Sequence, residues 1–240
     1  MRKFYERNYF LIRRLHSLSG IIPVGVFFLI HMFFNSRAAQ SPEQYQWVPD
    51  TLDQVPYLWA IEIGGILLPI LFHAVLGAVI IVQGDVNSQK PALSWYSNWA
   101  YTMQRVTGFF LFFFIAWHVY TAWWPHFSMR LQASMGGPHQ EFEIFPHTQG
   151  LVSGPWGMTY YIIFVLFAAY HFGNGIYNFL YKWGATTSKT SQKYAIAVGL
   201  LIGLLGVIMG FSSLWGLTMS PWAREYLGEM ARVALSAVGR

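Results

Sequence analysis

An all-α integral membrane bundle of five helices is the fold class this sequence predicts, on three observations. Hydrophobic residues make up 55% of the 240 residues and charged ones only 10%, against roughly 25% charged in soluble domains. Five apolar runs can cross a bilayer, which needs about 20 residues: they cover roughly 15–35, 58–83, 106–124, 156–181 and 194–215. Breaks rich in polar residues, Pro and Gly separate them, such as Ser41-Pro42-Glu43 and Gly136-Gly137-Pro138. The chain 1–240 therefore reads as one membrane domain. Residues 219–240 form a segment outside the fifth span, suited to a short amphipathic helix at the outer surface.

Composition supports each span and removes other classes. Aromatic residues reach 19%, with 11 Trp, as expected where helix ends meet lipid headgroups. There is no cysteine, which excludes disulfides, iron–sulfur clusters and thiolate haem ligation within this chain. The pI near 9.4 reflects membrane topology and not nucleic-acid binding. The first apolar run is too long for a signal peptide and carries no small-residue cleavage site.

Orientation follows from the basic residues. With a cytoplasmic N-terminus, the inner segments hold Arg2, Lys3, Arg7, Arg13, Arg14, Lys90, Arg105, Lys182, Lys189 and Lys193, and the outer ones hold Arg37, Arg130, Arg224, Arg232 and Arg240. Ten against five obeys the positive-inside rule. Glu6 and Asp85 are the acids clearly inside. The expected topology is N-in and C-out.

Ionisable groups inside a membrane are costly and mark function. Each of the first four spans carries one histidine at depth: His31, His73, His118 and His171. His31 lies six residues from Arg37 and His118 seven from Pro125, whereas His73 lies 17 from Pro56 and His171 16 from Pro155. At 1.5 Å per residue the two levels differ by about 15 Å. His31 is thus expected to face His118 near the outside, and His73 to face His171 nearer the cytoplasm. Two neutral imidazoles on one haem iron are the economical use of each pair. Spans I–IV then enclose two stacked b haems.

Small residues fit the same picture. Positions eleven apart share a helix face. Gly20 stands eleven before His31 and Thr107 eleven before His118, with Gly108 beside it, while Gly77 and Gly175 follow His73 and His171 by four. These residues are expected to make room for the inner macrocycle, although helix packing alone also uses small residues. Arg13, Arg14, His16, Ser17 and Arg105 cluster at the cytoplasmic ends. They are candidates for haem propionates and equally for positive-inside anchors. His16 has no partner at its depth, so no axial role is expected. His126, His139 and His147 fall in the outer segment, where solvation is expected.

The run Arg13-Arg14-Leu15-His16-Ser17-Leu18-Ser19-Gly20, with Ile30-His31, resembles the di-haem cytochrome b anchor of bacterial succinate:menaquinone oxidoreductases. Leu68-Pro69-Ile70-Leu71-Phe72-His73, Trp117-His118 and Tyr170-His171-Phe172-Gly173-Asn174-Gly175 continue the likeness in order. It covers essentially the whole chain. The resemblance implies a subunit of respiratory complex II in the bacterial cytoplasmic membrane. Its soluble partners would be a flavoprotein with FAD and an iron–sulfur subunit, docked on the cytoplasmic segments 1–14, 84–105 and 182–193, with a higher oligomer of the complex compatible. Electrons would reach the inner haem, then the outer haem, then menaquinone or another quinone. Since menaquinone has a low potential, the membrane potential would assist, at about 2.3 kcal/mol per charge per 100 mV.

Fumarate reductases share this anchor and run in the opposite direction. Those with a transmembrane proton route carry a Glu two residues before the fourth ligand; here that place is Ala169, which favours succinate oxidation. A hydrogenase or formate dehydrogenase cytochrome would keep the haems but space the histidines differently. A proton or metal transporter would need more buried acid. Glu62 is the only acidic residue well within a span and lies eleven before His73, hence on that face but about 16 Å nearer the outside. That position suits a proton donor to quinone.

Overall fold

The computed structural model describes residues 2–83, 96–138 and 140–238; Asp85, Lys90 and His139 lie outside the described residues. Helices α1 (Arg2–Ile21), α2 (Val24–Ser36), α3 (Pro42–Leu52), α4 (Leu58–Ala60), α5 (Leu68–Val82) and α6 (Tyr96–His118) come first. They are followed by α7 (Trp124–Ser134), α8 (Ile144–Val152), α9 (Gly154–Lys182), α10 (Lys189–Thr218) and α11 (Pro221–Val238). Among the described residues, five helical stretches are long and apolar enough to cross a membrane: Glu6–Ala39, Leu58–Val82, Asn98–Ser134, Gly154–Lys182 and Lys189–Arg232. The predicted number of spans holds, and the helices outrun the apolar runs that mark them.

Prolines shape these helices. Pro23 cannot donate a hydrogen bond and its ring crowds the preceding turn, so the first span divides into α1 and α2 at Ile22-Pro23. Two π-helical turns, Ile61–Leu67 and Val119–Trp123, run just ahead of Pro69 and Pro125. In each case the carbonyl four residues before the proline, on Gly65 or Thr121, falls inside the widened turn. The wider i→i+5 ring relieves the clash that an α-turn would impose there.

The segments between the first and second spans and between the third and fourth are not the open loops that their Pro and Gly content predicts. Ser41 Oγ accepts from the Gln44 N–H at 3.2 Å and Pro42 takes the first helical position, a favoured start. Helices α3, α7 and α8 therefore fill much of these segments, and α11 forms the helix expected after Pro221.

The chain divides into two compact units. The first comprises Met1–Ile30, Tyr57–Ala116 and Phe164–Val207. Within it α9 and α10 meet at Gly173 and Gly199, where a Cβ on either would strike the backbone carbonyl of the other. This is the close helix contact that small residues permit in lipid, and it gives the uncharged fifth span a packing role. Large apolar side chains of the same unit remain exposed, among them Phe113 at 55%, Leu200 at 65% and Leu201 at 66%. Such a surface suits lipid and would be a liability in water.

The second unit comprises His31–Pro56, Trp117–Ile163 and Ile208–Arg240. Its core joins Ala38, Tyr45, Phe145, Val152, Leu214, Leu217 and Ala223. Gln149, buried in that core, donates to the carbonyls of Leu217 and Ala223 at 3.0 and 3.1 Å. Those bonds tie α8 to the end of α10 and the start of α11.

Candidate functional site

The four histidines at depth meet in two pairs, one in each unit. In the first unit the rings of His73 on α5 and His171 on α9 have centroids 6.2 Å apart and planes at 87°. In the second, His31 on α2 and His118 at the end of α6 have centroids 5.7 Å apart and planes at 80°. Among the described residues no three His, Asp or Glu side chains are placed to hold one metal ion, so each pair offers two imidazoles.

Haem iron between two imidazoles makes a definite demand. With about 2 Å from metal to nitrogen and about 1.1 Å from nitrogen to ring centre, the centroids should stand about 6.2 Å apart. The His73/His171 pair meets this spacing, and the His31/His118 pair would need to open by about half an ångström. In spacing, the residues fit a haem iron held between two imidazoles.

The other ring nitrogens are held by neighbours. His73 Nδ1 lies 2.9 Å from the His16 carbonyl and 3.3 Å from Ser19 Oγ. His171 Nδ1 lies 3.2 Å from Thr107 Oγ1, and His118 Nδ1 lies 3.3 Å from the Tyr161 hydroxyl. In His73 and His171 this leaves Nε2 for a metal. His31 differs: its Nε2 lies 3.3 Å from Asn35 Nδ2, so ligation through that nitrogen requires the ring and the Asn35 amide to part.

The sequence matches known proteins in the same sense. Residues 86–210 match the model of the succinate dehydrogenase/fumarate reductase transmembrane subunit. The chain is also 35% identical over 193 residues to the succinate dehydrogenase cytochrome b558 subunit of Bacillus subtilis, covering 80% of this chain and 89% of that one. The chain belongs to the succinate dehydrogenase/fumarate reductase transmembrane-subunit family.

Other residues singled out in this anchor's sequence fall less uniformly. Three glycines make room for imidazole rings. A Cβ on Gly20 would stand 2.5 Å from His73 Cε1, one on Gly108 2.9 Å from His171 Cε1, and one on Gly77 3.0 Å from His16 Cε1. A Cβ on Gly175 would stand 3.8 Å from Gln104 Nε2, an ordinary contact distance. Thr107 is buried and hydrogen-bonded as above. The eleven-residue spacings were drawn on uninterrupted α-helices. Pro23 breaks that register between Gly20 and His31, while Thr107 and His118 share α6 throughout.

The basic cluster is occupied with the protein itself. Arg13 lies over the Tyr9 ring and Arg14 over the Trp183 ring. The Trp183 indole donates to Ser17 Oγ at 3.1 Å. Arg105 donates to the carbonyls of Ile80 and Ile81 at 3.0 and 2.8 Å, closing the C-terminal end of α5. His16 stacks on His73 with centroids 4.0 Å apart and planes at 18°.

Glu62 is half-buried in the first π turn. A π turn holds one residue more than an α turn, a phase change of about 100°. The eleven-residue spacing therefore no longer puts Glu62 on the face of His73. Two outer histidines expected in solvent have partners instead. His126 Nε2 lies 2.9 Å from Asp53 Oδ2 and its ring stacks on Phe142, and His147 Nε2 lies 3.0 Å from the Thr121 carbonyl.

Ser19, Gln104, Asn35 and Tyr161 escaped the sequence reading. Polar residues one turn from a buried histidine or its facing glycine are the signal that could have found the first three; Tyr161, ten residues from His171, carries no such signal.

Proposed function

We propose that this chain is the membrane anchor through which a succinate:quinone oxidoreductase passes electrons from its iron–sulfur subunit to a quinone. In this reading His73 and His171 hold one haem b and His31 and His118 a second. When bound, each haem supplies a one-electron carrier that alternates between ferric and ferrous iron. The observation that carries the reading is the facing of the four imidazoles in twos, at 6.2 and 5.7 Å, in a chain of this family.

The residues supply the rest. Nδ1 contacts orient the rings of His73, His171 and His118, and Gly20 and Gly108 give two of them space. A cytoplasmic N-terminus would turn residues 1–14, 96–105 and 182–193 toward the soluble subunits, together with 84–95 outside the described residues. The relative from Bacillus and the five spans support a bacterial cytoplasmic membrane. Menaquinone is the expected acceptor by the same likeness. Ala169 is buried against α10, its carbonyl 3.0 Å from where a Gly203 Cβ would stand. A carboxyl side chain there would not fit without separating the helices, which supports succinate oxidation over the fumarate-reducing direction.

Glu62 is proposed as the proton donor to quinone. What supports it is its place as the only acid within an apolar run, on a π turn of the kind frequent at functional sites. Purification of the intact complex tests the whole reading. Two haems b per chain by pyridine haemochrome, with flavin and iron–sulfur subunits co-purifying, is the expected result. A haem-free chain would return the histidines to a transport role, and a hydrogenase or formate dehydrogenase partner would change the electron donor. Glu62→Gln should keep both haems and succinate-to-dye activity while losing most quinone reduction. Normal quinone turnover in that variant would remove Glu62 from the mechanism.

A further inference from the structure

The contacts around His73 and His171 repeat. On α1, His16 stands three residues before Ser19 and four before Gly20; on α6, Gln104 stands three before Thr107 and four before Gly108. Residues at these spacings share one helix face. Opposite them, His73 and Gly77 on α5 are four apart, as are His171 and Gly175 on α9.

Each position makes the same contact in both copies. The first residue donates a side-chain N–H to the backbone carbonyl of the facing histidine. His16 Nδ1 lies 2.9 Å from the His73 carbonyl and Gln104 Nε2 lies 3.0 Å from the His171 carbonyl. The hydroxyl at the second position meets that histidine's Nδ1, at 3.3 Å for Ser19 and 3.2 Å for Thr107. The glycine at the third position receives the imidazole ring edge. The glycine after each histidine receives the donor in turn, since a Gly77 Cβ would meet His16 at 3.0 Å and a Gly175 Cβ would meet Gln104 at 3.8 Å. Five residues thus form one device, built twice within one unit.

We propose that His16 and Gln104 are equivalent positioning residues that hold the backbones of His73 and His171 in register with their Nδ1 acceptors, and thereby set the reduction potential of the haem between them. This rests on the reading of His73 and His171 as its axial ligands. His16 is not itself a ligand, because its ring lies face to face on His73 with no room for iron between.

Proton positions give the device its chemistry. Ser19 Oγ already donates to the His16 carbonyl at 3.0 Å, and Thr107 Oγ1 to the carbonyls of Met103 and Gln104 at 2.7 and 3.3 Å. Each hydroxyl oxygen can then only accept from the imidazole, so Nδ1 of both histidines carries the proton and Nε2 keeps its lone pair. For His73 the His16 carbonyl demands the same tautomer. His16 Nδ1 likewise faces a carbonyl and must be the donor. A histidine whose Nδ1–H is held by an acceptor is a more basic ligand, which favours ferric iron. Without the donor at position 16 or 104 the ligand helix is free to slip, the Nδ1–H bond lengthens and the potential rises.

Redox titration of both haems in the intact complex, isolated with its soluble subunits, tests this. His16→Leu should keep both haems and shift the reduction equilibrium of the His73/His171 haem about tenfold toward the ferrous form, 59 mV for one electron. The other haem should not move. Gln104→Leu should shift the same haem in the same direction. His16→Gln places the α6 donor on α1 and should restore most of the wild-type potential. If His16→Leu does not assemble, an assembled His16→Gln complex with near wild-type potential supports the proposal, and failure of both variants overturns it. An unshifted His16→Leu, a shift that His16→Gln leaves in place, or loss of a haem in His16→Leu with His16→Gln no better, would overturn it as well. His73→Ala and His171→Ala separate the two readings: retention of that haem in either sinks the ligand assignment, whatever His16 does.

Discussion

The two histidine pairs are built differently. Around His73 and His171 the Nδ1 contacts come from short hydroxyls on facing helices and a backbone carbonyl, groups with few rotamers, and glycines seat the rings. Around His31 and His118 the ring contacts come from the amide of Asn35, at Nε2 of His31, and the phenol of Tyr161, at Nδ1 of His118, longer side chains with more freedom. Asn35 in turn accepts from Tyr45, whose hydroxyl also reaches Thr148 at 3.4 Å. Burial pushes the Tyr45 hydroxyl up to about 12, so it stays protonated as a donor. The first pair is held still by the backbones around it. The second is joined to a chain of exchangeable protons, which suits the end of the proposed path where a quinone takes up protons as well as electrons.

The largest effect that can break this comparison is loss of a whole haem. His73→Ala and His171→Ala should each remove one spectral component, and His31→Ala and His118→Ala the other, read by low-temperature difference spectra of the complex. If His31→Ala and His118→Ala altered different components, the two-by-two pairing would be wrong.

A smaller effect separates ring seating from backbone packing. Gly20→Ala places a methyl 2.5 Å from His73 Cε1, whereas Gly64→Ala has nothing within 4 Å. The ring must shift in the first and nothing moves in the second. Gly20→Ala should lower the content of the His73/His171 haem with an overpacking cost of about 1–3 kcal/mol, measured as haem per protein and thermal stability. In the second unit a Cβ on Gly216 would strike the backbone of Ala38, so Gly216→Ala should reduce assembly of the chain itself. Equal haem loss from Gly20→Ala and Gly64→Ala would remove the seating role.

The smallest effect belongs to the second unit alone. Burial raises the Asp53 carboxyl, and the hydrogen bond and charge of His126 with the charge of Arg130 outweigh it, so it lies below its ordinary value. The contribution is therefore complete above the ordinary carboxylate range. It fades as pH falls through that range and is gone below the depressed folded value. Asp53 is 36% exposed at the side chain, so solvent screening leaves about 0.5 kcal/mol. Protease cleavage within 125–138 should increase in acid for the wild type and be less pH-dependent in Asp53→Asn. An identical acid response in both would show that the cluster contributes nothing.

The sequence by itself determined the five spans, the one histidine at depth in each of the first four, and which histidines could meet. These follow from terms that act along the chain: a bilayer of fixed thickness sets the length of an apolar run, and the cost of burying a polar ring makes each such histidine conspicuous. Tertiary structure alone decided what surrounds the rings. The partnership of His16 with His73 joins residues 57 apart, and it depends on how α1 and α5 are rotated and how far each slides along the other. Composition does not encode that rotation. Prolines alter it further, by breaking the first span at Pro23 and widening the turns before Pro69 and Pro125, so that residues counted eleven apart need not share a face. The same holds for Asp53 and His126, whose Pro- and Gly-rich surroundings read as loop. Their ion pair exists only once the end of α3 lies beside α7, whereas the Ser41 cap on Gln44 is local to its own turn.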